Sequence, residues 1–280
     1  MTNNSQSKSL NYNLSALIGV VTTISCSVAI ATPANAFTFY RGDENPTEFH
    51  TTTYSNGLTG ADAFQQFVNT EYQALGAEQI GARPLDTNSL LFRNDHDVNV
   101  YFINEGAWFR NQLAVNSTGT SDINGIVFND ISCLQDCQFT GYDRSSGVLN
   151  EADALRIGDY VSLGNVKAGT DLEFSLRRNG FSDDNPDVWY GQTSKNSDGL
   201  PHLMAYQYEN FLLLAWEDLN GGGDLDYNDV VFAVDVGKDN LNSIATAGTP
   251  EPLTILGSLL AGITGFLFKT KSSSSQKKLH

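Results

Sequence analysis

The chain has 280 residues, and its 32 acidic side chains outnumber its 16 basic ones to give a formal net charge of −16. This charge has the wrong sign for binding nucleic acid or an anionic membrane, so neither is expected as a partner. With 40% hydrophobic residues, the chain is long enough for a folded domain with a substantial core.

The first 36 residues have the pattern of an export signal. Lys8 precedes an apolar run from Leu14 to Ile30, and Ala34-Asn-Ala36 then has the small-x-small pattern of a cleavage site. We therefore expect residues 1–36 to be a signal peptide and Phe37 to begin the mature protein. An uncleaved membrane anchor is the alternative for this run.

Residues 37–89 are expected to form an N-terminal segment that packs on the main domain. Thr38–Tyr40 has the composition of a short strand. Phe64, Phe67, Val68 and Leu75 recur at helical spacing within 61–75, and Gly76 follows as a stop. We predict one short amphipathic helix here, with its aromatic side chains in the core.

Residues 90–236 have the pattern of a β-rich domain. Short β-branched and aromatic runs alternate with turn residues, which favours a mainly β, antiparallel sandwich, jelly-roll-like, over alternating βα units. The predicted strands are Ser89–Arg93, Val98–Asn104, Gly125–Phe128, Tyr160–Leu163, Asp171–Leu176, Leu203–Tyr208, Phe211–Trp216 and Val230–Val236.

Cys133 and Cys137 are the two cysteines that remain after removal of the signal peptide. An even number of cysteines in an exported protein favours a disulfide, and a tight loop can bridge this spacing. Two free thiols are the alternative.

The stretch 217–229 lies between the last two predicted strands and concentrates the acidic residues of the domain. It holds three consecutive glycines together with a set of oxygen ligands: Glu217, Asp218, Asp224, Asp226, Asn228 and Asp229. Carboxylate and amide oxygens are the ligands that calcium prefers, and glycines permit tight turns. We predict a calcium site here. An ordinary acidic hairpin loop is the alternative, because Asp, Asn and Gly also favour turns.

The loop is not an EF-hand. Asp229 stands where that motif needs glycine, and Asp235 stands where it needs a bidentate glutamate. The residues after the loop also have the pattern of a strand rather than a helix. Any metal therefore sits on a β-scaffold.

The same stretch resembles the signature of the family called domain of unknown function 4114. The similarity comes from Trp216-Glu-Asp218, the glycines and Asp224-Leu-Asp-Tyr-Asn-Asp-Val-Val-Phe232, with weaker similarity at 100–113 and 155–169. It covers roughly residues 90–236. It implies a secreted β-rich module suspected of binding calcium, with no established enzymatic activity.

A second resemblance lies at the C-terminus, after an expected linker over 237–249. Pro250-Glu251-Pro252 precedes an apolar run over 253–268 and a lysine-rich tail. Residues 250–280 resemble the PEP-CTERM sorting signal of bacterial surface proteins. This implies transient membrane insertion through 253–268 and recognition of Pro250-Glu251-Pro252 by an exosortase. A plain single-span anchor is the alternative.

Catalytic motifs are absent from the sequence around His50, His96 and His202, so we expect no enzymatic activity. His96 is interpreted as a solvated loop residue, flanked by Asp95 and Asp97 as minor candidates for a second calcium site.

We predict an exported, calcium-stabilised protein of the cell surface or extracellular matrix, active in adhesion and associated with exopolysaccharide or with other surface proteins. The alternative is a calcium-dependent carbohydrate-binding module whose stacking faces are Trp108, Trp189, Tyr190 and Tyr206; a polysaccharide hydrolase is a weaker one.

Overall fold

The computed structural model describes residues 37–67, 83–85, 89–133 and 154–247. The predicted signal peptide, the sorting signal and Cys137 lie outside these residues. None of the described residues belongs to a helix long and apolar enough to cross a membrane.

The described residues form two antiparallel sheets, which confirms the predicted sandwich class. The strands are β1 Thr38–Tyr40, β2 Arg83–Leu85, β3 Leu90–Leu91, β4 His96–Glu105, β5 Asn111–Gly119, β6 Gly125–Ile131, β7 Tyr160–Val166, β8 Thr170–Arg177, β9 Val188–Tyr190, β10 Leu203–Tyr208, β11 Phe211–Trp216 and β12 Val230–Asp235.

The larger sheet has seven strands in the order β1-β7-β4-β12-β11-β10-β2. The smaller sheet has the order β3-β8-β5-β6, and β9 pairs with β8. Both edges of the larger sheet are strands of three residues, β1 and β2.

The larger sheet is buried on both faces. Along β12, Val230, Phe232 and Val234 pack into the core between the sheets. Val231 and Ala233 point to the other face and pack in a second cluster with Phe49 and Phe64 of the N-terminal segment. Burial on both faces explains why the central strands are continuous apolar runs rather than alternating ones.

The N-terminal segment supplies this second layer through two short helical elements, α1 at Glu48–Thr51 and a 3₁₀ helix at Gly60–Phe67. An α-helix over 61–75 was predicted. Within that range, residues 61–67 belong to the 3₁₀ helix, and residues 68–75 lie outside the described ranges. Phe64 is buried as predicted.

The predicted linker over 237–249 contains a helix, α2, at Lys238–Ala247. Leu241 and Ile244 of this helix pack into the core between the sheets. The buried Asn240 side chain accepts the backbone N–H groups of Arg93 and Asn94 and donates to the carbonyl of Val236. The expectation of a linker is therefore wrong for these residues, because Leu241 and Ile244, one helical turn apart, give the segment an apolar face that packs against the core.

Candidate metal centre

The hairpin between β11 and β12 carries the predicted ligands, and we call residues 217–229 the metal loop. Trp216 at the end of β11 pairs with Val230 at the start of β12, so the loop is closed at its base by the sheet. This closure brings residues twelve positions apart in sequence to the same end of the sandwich.

The carboxylates of the metal loop form two overlapping groups. Glu217, Asp224 and Asp226 form one, and Glu217, Asp218 and Asp229 form the other. Within each group the possible ligand oxygens lie within 4.8 Å of one another. Glu217 belongs to both groups, so its side chain is the centre of the arrangement.

Most of these carboxylates are removed from water. Glu217, Asp218 and Asp226 are each at most 2% exposed, whereas Asp229 is half-buried and Asp224 is exposed. Burial disfavours an ionised carboxyl group, and neighbouring negative charges add to that cost. The cluster is therefore costly without a cation.

The pKa values of the buried acids show this cost. Burial, together with the charges of Asp224 and Asp218, raises the pKa of Glu217 to about 7. Burial and the charges of Asp218 and Glu217 also raise the pKa of Asp229 well above its usual range. The pKa of Asp218 is raised by burial, although hydrogen bonding from Asn111 opposes the shift.

Left-handed backbone conformations fold the loop around Glu217. Gly221, Gly222 and Gly223 all have positive φ, and so do Leu225 at 62° and Tyr227 at 56°. The backbone N–H of Leu225 donates to Glu217 Oε2 over 3.2 Å. A Cβ atom on Gly223 would lie only 2.0 Å from Glu217 Oε1, so glycine is required for this close approach.

Two segments outside the metal loop hold it in place. The backbone N–H of Gly106, just after β4, donates to the carbonyl of Asp229 over 2.8 Å. Asn111 at the start of β5 is fully buried and donates from Nδ2 to Asp218 Oδ2 over 2.7 Å. Asn111 lies in the 100–113 stretch that resembles the family, but its place beside the metal loop was not predicted from the sequence.

The buried side chain of His202, the residue just before β10, supports the metal loop. Its ring stacks on Trp189 with centroids 3.9 Å apart. Both ring nitrogens face oxygen acceptors: Nδ1 lies 2.8 Å from the Glu217 carbonyl, and Nε2 lies 2.9 Å from Asp198 Oδ2. These two contacts and the stacking on Trp189 fix the orientation of the ring.

Asp198 completes this support. Its carboxylate also accepts the backbone N–H groups of Gly221 and Leu200. Burial opposes ionisation of Asp198, but these two N–H groups and the ring of His202 outweigh burial and lower its pKa to about 2. Asp198 and His202 were not predicted as supporting residues, because nothing in their local spacing links them to the metal loop further along the chain.

Asn228, the sixth predicted ligand, is buried and turned toward Asp226. Its Nδ2 donates to Asp226 Oδ2 over 2.8 Å, and its backbone N–H donates to Asp226 Oδ1. It orients a carboxylate of the cluster.

The match to known families falls on this region. Residues 166–237 match the family model described as Domain of unknown function (DUF4114). The match extends from the end of β7 through the metal loop to just past β12, which is the part of the chain with the most specific resemblance. No curated protein and no solved structure is similar enough to give a match.

The residues present in the DUF4114 match fit a hard cation. All candidate ligands are oxygens, they converge on one side chain, and glycine leaves room beside it. Calcium accepts six to eight oxygen ligands in flexible geometry, whereas zinc prefers nitrogen and sulfur. The donor set therefore suits calcium.

Other predicted site residues have different surroundings. Asp95 accepts hydrogen bonds from Lys167 and Ala168, and Asp97 accepts one from Asn165, so these acids have protein partners. Neither belongs to a metal-competent group of the described residues. The interpretation of His96 as a loop residue is wrong, because it begins β4 and faces Asp235.

The aromatic residues of the carbohydrate alternative are divided by burial. Trp189 and Tyr206 are buried, and Tyr190 is half-buried. Trp108 is 63% exposed. Trp189 and Tyr206, two of the four predicted stacking faces, are therefore core residues. Trp189 packs on His202 and donates to the carbonyl of Asp218.

Cys133 is disulfide-bonded. Its predicted partner, Cys137, lies outside the described residues.

Proposed function

We propose that this chain is an exported, calcium-stabilised, non-catalytic protein of the bacterial cell surface or extracellular matrix. The observation that carries the proposal is the pair of carboxylate groups that share Glu217 within the metal loop. A disulfide at Cys133 adds support for export, because such bonds persist in oxidising compartments outside the cytosol.

Calcium acts here by removing a folding cost. Three acids with raised pKa values, of which Glu217 and Asp218 are buried and Asp229 is half-buried, lie at the end of a two-stranded hairpin, and a divalent ion offsets their charge. Gly106 and Asn111 tie the same loop to β4 and β5 of the two sheets. Ion binding therefore stabilises both sheets through one loop, and folding and binding are linked.

The test is a thermal melt of the purified protein with calcium and with a chelator, together with calorimetric titration of calcium. We expect calcium to raise Tm, since a ligand at 100 times its Kd stabilises by about 2.7 kcal/mol. Glu217→Gln should abolish calorimetric binding, because it removes the shared ligand. Asp184→Asn, a change at an exposed acid, should leave binding intact. An identical melt with and without calcium would refute the proposal.

Sorting is the second part of the proposal. Pro250-Glu251-Pro252 and the apolar run over 253–268 support transient anchoring and processing by an exosortase. In a host with this machinery, Glu251→Ala should leave the protein membrane-associated, and the unmodified protein should reach the surface or matrix. If the Glu251→Ala variant and the unmodified protein were distributed equally, the segment would act as an ordinary membrane anchor.

Calcium-dependent carbohydrate binding is a second candidate function, favoured by one observation. Trp108 is largely exposed and lies two residues after Gly106, whose N–H bonds to the metal loop. Binding to exopolysaccharide that is lost both with chelator and in Trp108→Ala would support this function. Calcium-dependent stability with no glycan binding would leave the structural role alone.

A further inference from the structure

A second candidate site lies on the outer face of the seven-stranded sheet. A cavity of about 290 Å³ opens between the N-terminal segment, β4, β12 and the β10–β11 turn. Pockets for small ligands have volumes of about 300–1,000 Å³, so this one has room for a single small molecule.

The cavity is separate from the metal centre. Asn99 and Asp235, which line it, are paired at one end of the β4–β12 ladder, whereas Glu105 and Val230 are paired at the end next to the metal loop. Six residues of extended β4 separate the two ends, which is about 20 Å. A ligand in the cavity would not contact the metal ion.

The cavity combines an apolar floor with a polar wall. Phe49, Tyr101 and Phe211 form the floor and are buried; Phe49 stacks on Tyr101 with centroids 4.2 Å apart. The ring faces are thus occupied by one another, and a ligand meets mainly their edges. Specific binding must come from the wall.

The wall offers both donors and acceptors. His96 Nε2 lies 2.8 Å from Asp235 Oδ1, and both side chains remain about one-third exposed. Gly237 makes this placement possible, because a Cβ atom there would lie 2.8 Å from the His96 ring. Thr52, Asn99 and Asn210 add neutral hydroxyl and amide groups.

The charges of the wall nearly cancel. Two acids, Glu48 and Asp235, line the cavity together with Lys238, so there is no excess of cations to hold a phosphate or carboxylate. No group of acids in the cavity is close enough for a metal ion. The remaining ligand chemistry is a neutral molecule with several hydroxyl groups and an apolar edge.

We propose that this cavity binds one neutral sugar residue, held by hydrogen bonds from the polar wall and packed against the aromatic floor. The N-terminal segment supplies Thr52 and Phe49, so the site exists only where that segment covers the sheet. The proposal does not depend on the calcium function, since the two sites share no residue.

Saturation-transfer NMR on the full chain at saturating calcium tests the proposal, with the methyl glycosides of glucose, galactose, mannose and N-acetylglucosamine as probes. We expect at least one probe to bind with a millimolar Kd, a range detected at about 10 mM probe. Thr52→Phe, which fills the cavity, should weaken binding at least tenfold. Thr51→Phe is the matched control, because the neighbouring Thr51 is exposed and does not line the cavity.

Three results would overturn the proposal. One is the absence of binding by all four probes to the folded protein. Another is equal binding by the Thr52→Phe and Thr51→Phe variants. The third is that Trp108→Ala abolishes binding while Thr52→Phe leaves it unchanged, which would place the sugar beside the metal loop. Calcium titration of the same samples reports the metal site independently, so failure of one proposal is distinguishable from failure of the other.

Discussion

The buried carboxylate of Asp159 and those of the metal loop have different surroundings. Asp159 is 1% exposed and accepts Arg41 Nη1 over 2.5 Å, together with the backbone N–H groups of Gly42 and Arg156. In the metal loop, Glu217 and Asp218 are equally buried, but their carboxylate oxygens lie within 4.8 Å of those of other acids. Asp159 is in direct contact with a cation, whereas Glu217 and Asp218 form no ion pair with any of the described residues.

This difference determines which part of the fold depends on the ions and pH of the medium. A buried carboxylate paired with a guanidinium and two N–H groups is satisfied by the protein alone. A group of buried carboxylates with raised pKa values is stable when neutral or when bound to a cation. The Arg41–Asp159 pair should therefore hold the N-terminal segment in any medium, whereas the metal loop should respond to calcium and pH.

The largest expected effect comes from Arg41→Met, which leaves Asp159 buried without its cation. Breaking a buried pair costs about 3–5 kcal/mol, and urea unfolding should show this loss with and without calcium. Arg156→Met is the matched control. Its pair with Asp43 is largely exposed, so its loss should cost less than about 1 kcal/mol. Equal losses in the two variants would contradict the comparison.

Asp229→Asn should have opposite effects under the two conditions. Without calcium it removes a carboxyl group that burial and the charges of Asp218 and Glu217 hold toward its neutral form, so the free energy of unfolding should stay the same or rise by about 1 kcal/mol. With calcium the variant should lack the gain of about 2–3 kcal/mol that binding gives the unmodified protein. Denaturant unfolding in calcium and in chelator measures both. Destabilisation in chelator would contradict the expected repulsion.

The pH dependence of the calcium-free protein follows from Glu217. Its pKa of about 7 lies above the ordinary value of 4.5, so between these pH values the folded state binds the extra proton. The resulting stability is complete below pH 4.5 and is lost as the pH rises through 7. We expect the chelated protein to lose on the order of 1–2 kcal/mol between pH 5 and pH 8. Glu217→Gln is the control and should weaken this dependence, while Asp218 and Asp229, whose pKa values are also raised, keep their share of it.

Calcium should reverse this trend, because the ligands must be deprotonated before they bind the ion. Calcium affinity measured by titration should therefore rise between pH 5 and pH 8. A fall in affinity over this range would show that Glu217 is not a ligand.

The smallest expected effect is that of Leu225→Gly. Leu225 has φ of 62° and is 50% exposed, and the left-handed conformation costs a non-glycine residue about 1–2 kcal/mol. Glycine relieves this strain but adds freedom to the unfolded chain, so a net gain of about 0.5–1 kcal/mol in chelator is expected. Leu219→Gly, at another exposed leucine, lacks the positive φ and should not stabilise.

Much of the fold could be predicted from local patterns. The predicted strands, from Thr38–Tyr40 to Val230–Val236, are β-branched or aromatic runs bounded by turn residues. Each of them overlaps a strand of the structure. Strands β2, β5 and β9 were missed. β5 begins with Asn111 and Gln112 and ends in polar residues, so its five buried positions do not give the usual alternation.

The candidate site could be predicted only where it is local in sequence. Glycines and acids spaced over 217–229 indicated the loop. Asn111, Asp198 and His202 reach it by strand pairing and side-chain contacts across 107, 23 and 15 positions, and a single sequence gives no signal for such contacts. The cavity was missed for the same reason, since its wall combines α1, β4 and the start of α2.

The edges of the larger sheet have a consequence for contacts between copies of the protein. Exposed edge strands pair readily with other chains, and proteins limit this by making them short or by placing proline in them. β1 and β2 span three residues each, and Pro84 in β2 has no N–H to offer a neighbour. Copies of this protein should therefore pair poorly with one another through the backbones of these two strands.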